Sequence, residues 1–99
     1  MSVVIEGEHG TITVPPATLT SLVTRAAERV EGVRLRHGRR HHEVKVSDNH
    51  ARVTLELVAR YGAVLPDVAR GVQEQVTEAL STMCGLQVDG VDVVVEEVE

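Results

Sequence analysis

The stretch Ser47-Asp48-Asn49-His50-Ala51-Arg52-Val53-Thr54-Leu55-Glu56-Leu57-Val58-Ala59-Arg60-Tyr61-Gly62 decides the fold. Ser47 to His50 is a run of turn formers. Beyond it Val53, Leu55, Leu57, Ala59 and Tyr61 alternate with Thr54, Glu56 and Arg60, the period-two pattern of a strand that buries one face. Gly62 closes the strand. Pro66 then suits the first position of a helix, where its missing N–H costs nothing, and Asp67 favours the positive end of the helix dipole. Val68, Ala69, Val72, Val76, Ala79, Leu80 and Met83 recur at helical spacing and predict the buried stripe of that helix, with Gly85 as its stop. Gly71 interrupts the stripe at a cost of about 1 kcal/mol relative to alanine, which points to a close approach to the sheet or to a partner.

Upstream of the turn, Val44 and Val46 alternate with charged residues, as do Val33 and Leu35, and the polar run His37-Gly38-Arg39-Arg40-His41-His42-Glu43 lies between them. These read as two pieces of one interrupted strand. Before them Leu19, Leu22, Val23, Ala26, Ala27 and Val30 mark one helical face, with Thr24, Arg25, Glu28 and Arg29 opposite and Gly32 as the left-handed residue past the end. Thr11 to Val14 form a short strand that Pro15-Pro16 terminates. Downstream, Val88, Val91, Val93, Val94 and Val95 predict a last strand with apolar residues on both faces.

The expected fold class is therefore α+β, with βαββαβ order and two helices on one face of a mixed sheet in a two-layer sandwich. Each helix joins strands too far apart for a hairpin, so parallel pairs are expected on both sides. The second sheet face, carrying Val58 and Val94, is left bare. It reads either as an oligomer interface or as ordinary surface with scattered apolar residues.

With 99 residues, 42% of them hydrophobic and 25% charged, the chain has room for one core, and a single domain over 1–99 with its core at about 10–96 is expected. Phe and Trp are absent and Tyr61 is the sole aromatic, so that core must be aliphatic. No stretch reaches the roughly 18 to 20 apolar residues of a membrane span, and the N-terminus lacks the order of a signal peptide. A cytoplasmic chain is expected, associated with a membrane only through a partner. The single Cys84 agrees with a reducing compartment.

The net charge of −5 is unevenly spread: residues 1–33 carry −2, residues 34–52 carry +4 and residues 53–99 carry −7. Such polarity steers a charged partner or a second copy of the chain, or else marks a solvated surface. Within the basic segment at 34–45, Arg34, Arg36, Arg39, Arg40, His41 and His42 are the candidate residues for an anion or partner. Nucleic acid is disfavoured as that partner by the net negative charge and the lack of rings for base stacking.

Catalytic chemistry finds no support. Cys84 falls in the last turn of a helix, where the dipole disfavours a thiolate. His37, His41, His42 and His50 lack an acidic or thiol complement, and the surrounding arginines oppose a divalent cation. Glu74 and Glu78 read as a solvated helix face rather than a general acid pair. No catalytic, cofactor or metal site is expected.

Tyr61-Gly62, Leu65-Pro66, Val68-Ala69, Val72-Gln73, Val76, Met83, Gly85-Leu86, Val88, Val91 and Val93 form an ordered pattern. Gly10-Thr11-Ile12-Thr13-Val14, Ala26-Ala27 and Glu31-Gly32-Val33 precede it. Together, over about residues 10–95, they resemble the alkaline-shock protein family of small bacterial envelope stress proteins. The resemblance implies a non-enzymatic protein that self-associates and is held near the membrane by a separate anchored protein. The sequence departs from the family in its Arg- and His-rich 37–42 loop and in Cys84, where a threonine is usual. An alternative is a regulatory module that binds nucleic acid or another anionic partner through Arg36, Arg39 and Arg40.

Overall fold

The computed structural model describes residues 3–35 and 42–99. In chain order the elements are β1 (Val3–Gly7), β2 (Gly10–Val14), α1 (Pro16–Glu28), β3 (Val33–Leu35), β4 (His42–Ser47), β5 (His50–Ala59), α2 (Leu65–Cys84) and β6 (Gln87–Val98).

β5 is the axis of the sheet. β6 pairs parallel with it along its whole length, from His50 opposite Gln87 to Ala59 opposite Val98. The other edge is shared by β3, which sets Val33 against Ala59, and β4, which sets Val44 against Val53. Both run antiparallel to β5, so β3 and β4 are the two pieces of one interrupted lane, and the sheet is three lanes wide and mixed. The turn between β4 and β5 places Asp48 and Asn49 at φ 51° and 63°, the paired left-handed geometry of a two-residue hairpin turn.

Alternation along β5 sends Ala51, Val53, Leu55, Leu57 and Ala59 to one face, all of them buried. They meet Leu19, Val23, Ala26 and Ala27 of α1 and Val68, Val72, Val76 and Leu80 of α2 in one core, so both helices cover the same face. Burial of this aliphatic surface drives the assembly, at roughly 25 cal/mol for each Å² removed from water.

Several expectations are corrected. β2 does not pair with β3 across a crossover but with β1, in a separate two-stranded sheet with Ile5 opposite Ile12. Both edges of β5 are already filled, whereas Glu8-His9, between paired glycines Gly7 and Gly10, gives β2 a partner a few residues away. Ile5 of this hairpin is buried in the core. β5 ends at Ala59, and Tyr61 is 83% exposed in the turn that follows, its N–H donated to the Glu99 carbonyl. α1 stops at Glu28, short of Val30, and Gly32 takes its left-handed φ of 84° three residues beyond the Arg29 cap. α2 ends as expected on left-handed Gly85. Met83, assigned to its buried stripe, is 67% exposed. Within the chain Gly71 makes its close approach to α1 rather than to the sheet: a Cβ there would lie 3.2 Å from a methyl of Val30, just past the end of α1.

Candidate interaction surfaces

Asn49 ties the hairpin to the body. Its left-handed backbone aims the side-chain amide at β1, where Oδ1 accepts the Glu6 N–H at 3.1 Å and Nδ2 donates to the Glu6 carbonyl at 3.2 Å. The amide thus acts as one extra residue of strand. Its own carbonyl accepts the Gln87 N–H at 2.9 Å, so a single turn residue holds both β1 and the start of β6. The hairpin beyond this latch is open, with Val4 and Ile12 both more than half exposed, and the molecule is elongated at 48 × 23 × 17 Å.

Of the residues expected to bind an anion, Arg36, Arg39, Arg40 and His41 lie outside the described residues, as does His37. Arg34 and His42 are described, and they fall on opposite faces. Arg34 sits opposite Val58 on the face away from the helices, whereas His42 sits opposite Leu55 on the helix side. His42 is half-buried and borders a depression with Pro15, Pro16, Ala17 and Thr20 at the start of α1. Arg34 donates to Glu99 Oε1 at 2.5 Å, so a carboxylate of the same chain already occupies its guanidinium. His50, at the other end of the β4–β5 hairpin from His42, meets Asp89, with Nδ1 2.9 Å from Oδ1. Among the described residues no group of three or more His, Cys, Asp or Glu side chains is placed to hold a metal. Partial burial raises the Cys84 thiol above its ordinary pKa, which keeps it protonated.

The sheet face left bare by the helices is not an apolar surface. Lys45 pairs with Glu43 at 3.3 Å and Arg52 with Asp92 at 3.2 Å, the latter guanidinium lying over Gly90. Val58, expected to be open here, is 4% exposed beside the Arg34–Glu99 pair, and the three residues line a shallow depression of about 260 Å³. Val94 remains open at 46%.

The helical layer is organised differently. Leu22, Ala26, Ala79 and Met83 floor a groove between α1 and α2, and Arg25, Arg29 and Glu78 rim it. Glu74 stands one turn from Glu78 on the exposed ridge of α2. None of Arg25, Arg29, Glu74 and Glu78 forms an ion pair among the described residues. This surface escapes a reading of the sequence that assigns those charges to solvated helix faces and Met83 to the core. The available signal was the placement of two arginines one turn apart on one helix and two glutamates one turn apart on the other.

No helix is long and apolar enough to cross a membrane among the described residues. Solved structures of MamM CTD share the architecture. A zinc form aligns at TM-score 0.57 and 19% identity, covering 84% of this chain and 86% of that one. A cadmium form aligns at 0.56 and 22% identity, covering 84% and 96%, and a copper form at 0.56 and 20% identity, covering 84% and 98%. At this identity the likeness is one of fold. Comparison with curated protein sequences returns no match. The family model that matches, over residues 36–99, is that of the alkaline-shock proteins, described as having a cell envelope-related function. That match spans well over half of the chain, including the central strand, α2 and β6, and so the chain belongs to the alkaline-shock protein family.

Proposed function

We propose that this chain is a non-catalytic scaffold of the envelope stress response, which assembles with further copies of itself and docks on a membrane-anchored protein. Membership of a family with a cell envelope-related function sets the context. The observation that carries the scaffold reading is the distribution of exposed large hydrophobic residues. Tyr61, Val64, Leu65 and Val98 are exposed near the end of the body where β5 and β6 finish, while Val4 and Ile12 are exposed on the hairpin that docks at the opposite end of β5. An elongated body with apolar residues at both ends suits a protein with several neighbours. The Arg34–Glu99 pair weakens the rival reading in which the basic segment grips an anion, because Arg34 must first release a carboxylate.

Light scattering over a wide range of concentration, at low and high salt, tests the assembly. The expected result is a mass that rises with concentration. A mass that stays at the monomer value of 10.7 kDa at millimolar protein and low salt refutes self-assembly. Affinity capture from cells under alkaline stress tests the docking half: the expected catch is one membrane-anchored protein, released when the exposed end is altered by Tyr61→Ser with Leu65→Ser.

A further inference from the structure

We infer that the helical layer is a self-complementary interface, on which a second copy of the chain packs face to face about a twofold axis running parallel to the helices. This rests on the self-association proposed above and names the surface responsible for one such contact.

The two sides of the molecule differ in how their charges are partnered. On the outer sheet face the basic groups Lys45, Arg52 and Arg34 each have an acidic partner within the chain. On the helical layer Asp67 and Arg70 pair one turn apart at the start of α2, whereas Arg25 of α1, Arg29 at its cap and Glu74 and Glu78 of α2 have no such partner among the described residues, although opposite charges stand on neighbouring helices. Between the rims lies the groove floored by Leu22, Ala26, Ala79 and the exposed Met83. A flexible thioether on an apolar floor, ringed by charge, matches the anatomy of a small interface core with a polar rim.

Geometry then selects the symmetry. Arg25, Arg29, Gln75 and Glu78 line one groove, so the basic ridge of α1 and the acidic ridge of α2 stand at the same height along the layer. A twofold axis in the plane of the interface and parallel to the helices keeps that height and exchanges left for right. It lays α1 of one copy over α2 of the other, and the arginines of each over the glutamates of its partner. Every contact occurs twice, as an isologous interface requires. The alternative axis, perpendicular to the helices, would set α1 over α1 and oppose like charges.

Size fits as well. The 20 residues of α2 span about 30 Å and the 13 of α1 about 20 Å, each about 10 Å wide, giving roughly 500 Å² on each copy. That lies at the lower end of specific interfaces, so micromolar rather than nanomolar association is expected.

The test is a charge swap followed by sedimentation equilibrium at low salt. Arg25→Glu with Arg29→Glu makes both ridges acidic, and Glu74→Arg with Glu78→Arg makes both basic. Each variant alone should dimerise at least about tenfold more weakly than wild type. An equimolar mixture should recover the wild-type affinity as a heterodimer, because both of its contacts are then between opposite charges. The chain carrying all four substitutions should dimerise with itself again. Thermal melts of each variant confirm that these exposed substitutions leave the monomer folded. Weakened variants that fail to recover on mixing overturn the twofold crossing. Variants that associate like wild type overturn the helical interface while leaving self-association standing, and a wild-type chain that is monomeric at every concentration overturns both.

Discussion

Asn49 gives the sharpest quantitative prediction, because its side chain and its backbone do separable work. Asn49→Gly removes the two hydrogen bonds to Glu6 while keeping the left-handed backbone at φ 63°. Two such bonds contribute about 1–2 kcal/mol in total, taken low in the usual range because both are solvent-exposed. Asn49→Ala removes the same bonds and adds a Cβ to a left-handed position, a further cost of about 1 kcal/mol. The expected order of stability is therefore wild type, then Asn49→Gly, then Asn49→Ala, with total losses of about 1–2 and 2–3 kcal/mol. Asn49→Asp should fall near the glycine variant: its carboxylate accepts the Glu6 N–H but repels the Glu6 carbonyl, which it cannot satisfy. Urea denaturation measures the totals. Native-state hydrogen exchange locates them, since the Glu6 amide should lose protection in the glycine and alanine variants while that of Gln87, bonded to the Asn49 backbone carbonyl, keeps it. An alanine variant within about 0.5 kcal/mol of wild type, with the Glu6 amide unchanged, refutes the latch.

Ile5→Ala should cost about 2–4 kcal/mol by urea denaturation, since the side chain is 4% exposed in the shared core, whereas Ile12→Ala on the same hairpin should cost well under about 1 kcal/mol. Gly71→Ala should be non-additive with Val30→Ala. Next to Val30 the added methyl is 3.2 Å from its neighbour, and with Val30 truncated it should stabilise the chain by about 0.5–1 kcal/mol through helix propensity, as a double-mutant cycle of urea denaturation will show. Cys84 has its folded-state pKa raised by desolvation, so its contribution to stability is fully present below the thiol pKa of the unfolded chain, about 8.5, and declines as pH rises past it. Urea midpoints from about pH 7 to 10 should therefore fall less steeply in Cys84→Ala, and alkylation of Cys84 at about pH 8 should run slower in the folded chain than in urea.

The central lane was legible because period-two alternation over ten residues admits one register against a covered face: shifting Val53, Leu55 and Leu57 by one position would expose all three. α2 was equally legible, since Pro66, Asp67 and Gly85 mark its ends by local chemistry that needs no tertiary partner. The interrupted lane could be read across Val33–Leu35 and Val44–Val46 because both pieces answer the same alternation. Tyr61 misled because periodicity carries on past the point where the ladder ends, and only the turn closed by the Ala63 N–H on the Arg60 carbonyl, with Gly62 at a left-handed φ of 92°, marks that end. Met83 misled for a similar reason, since a helical stripe states which residues share a side and says nothing of how far the neighbouring helix reaches.

By itself the sequence determined the two amphipathic helices, the strand alternation, the turn at Asp48-Asn49 and the family pattern, all properties of residues close together along the chain. The tertiary structure alone decided that β2 turns back on β1, that Arg34 is occupied by Glu99 sixty-five positions away, and that Arg25, Arg29 and Glu78 meet around one groove without an ion pair among the described residues, with Glu74 on the ridge beside it. Local propensity and spacing act over a few residues, whereas the pairing of charges and the filling of sheet edges depend on which distant segments burial of the core brings together.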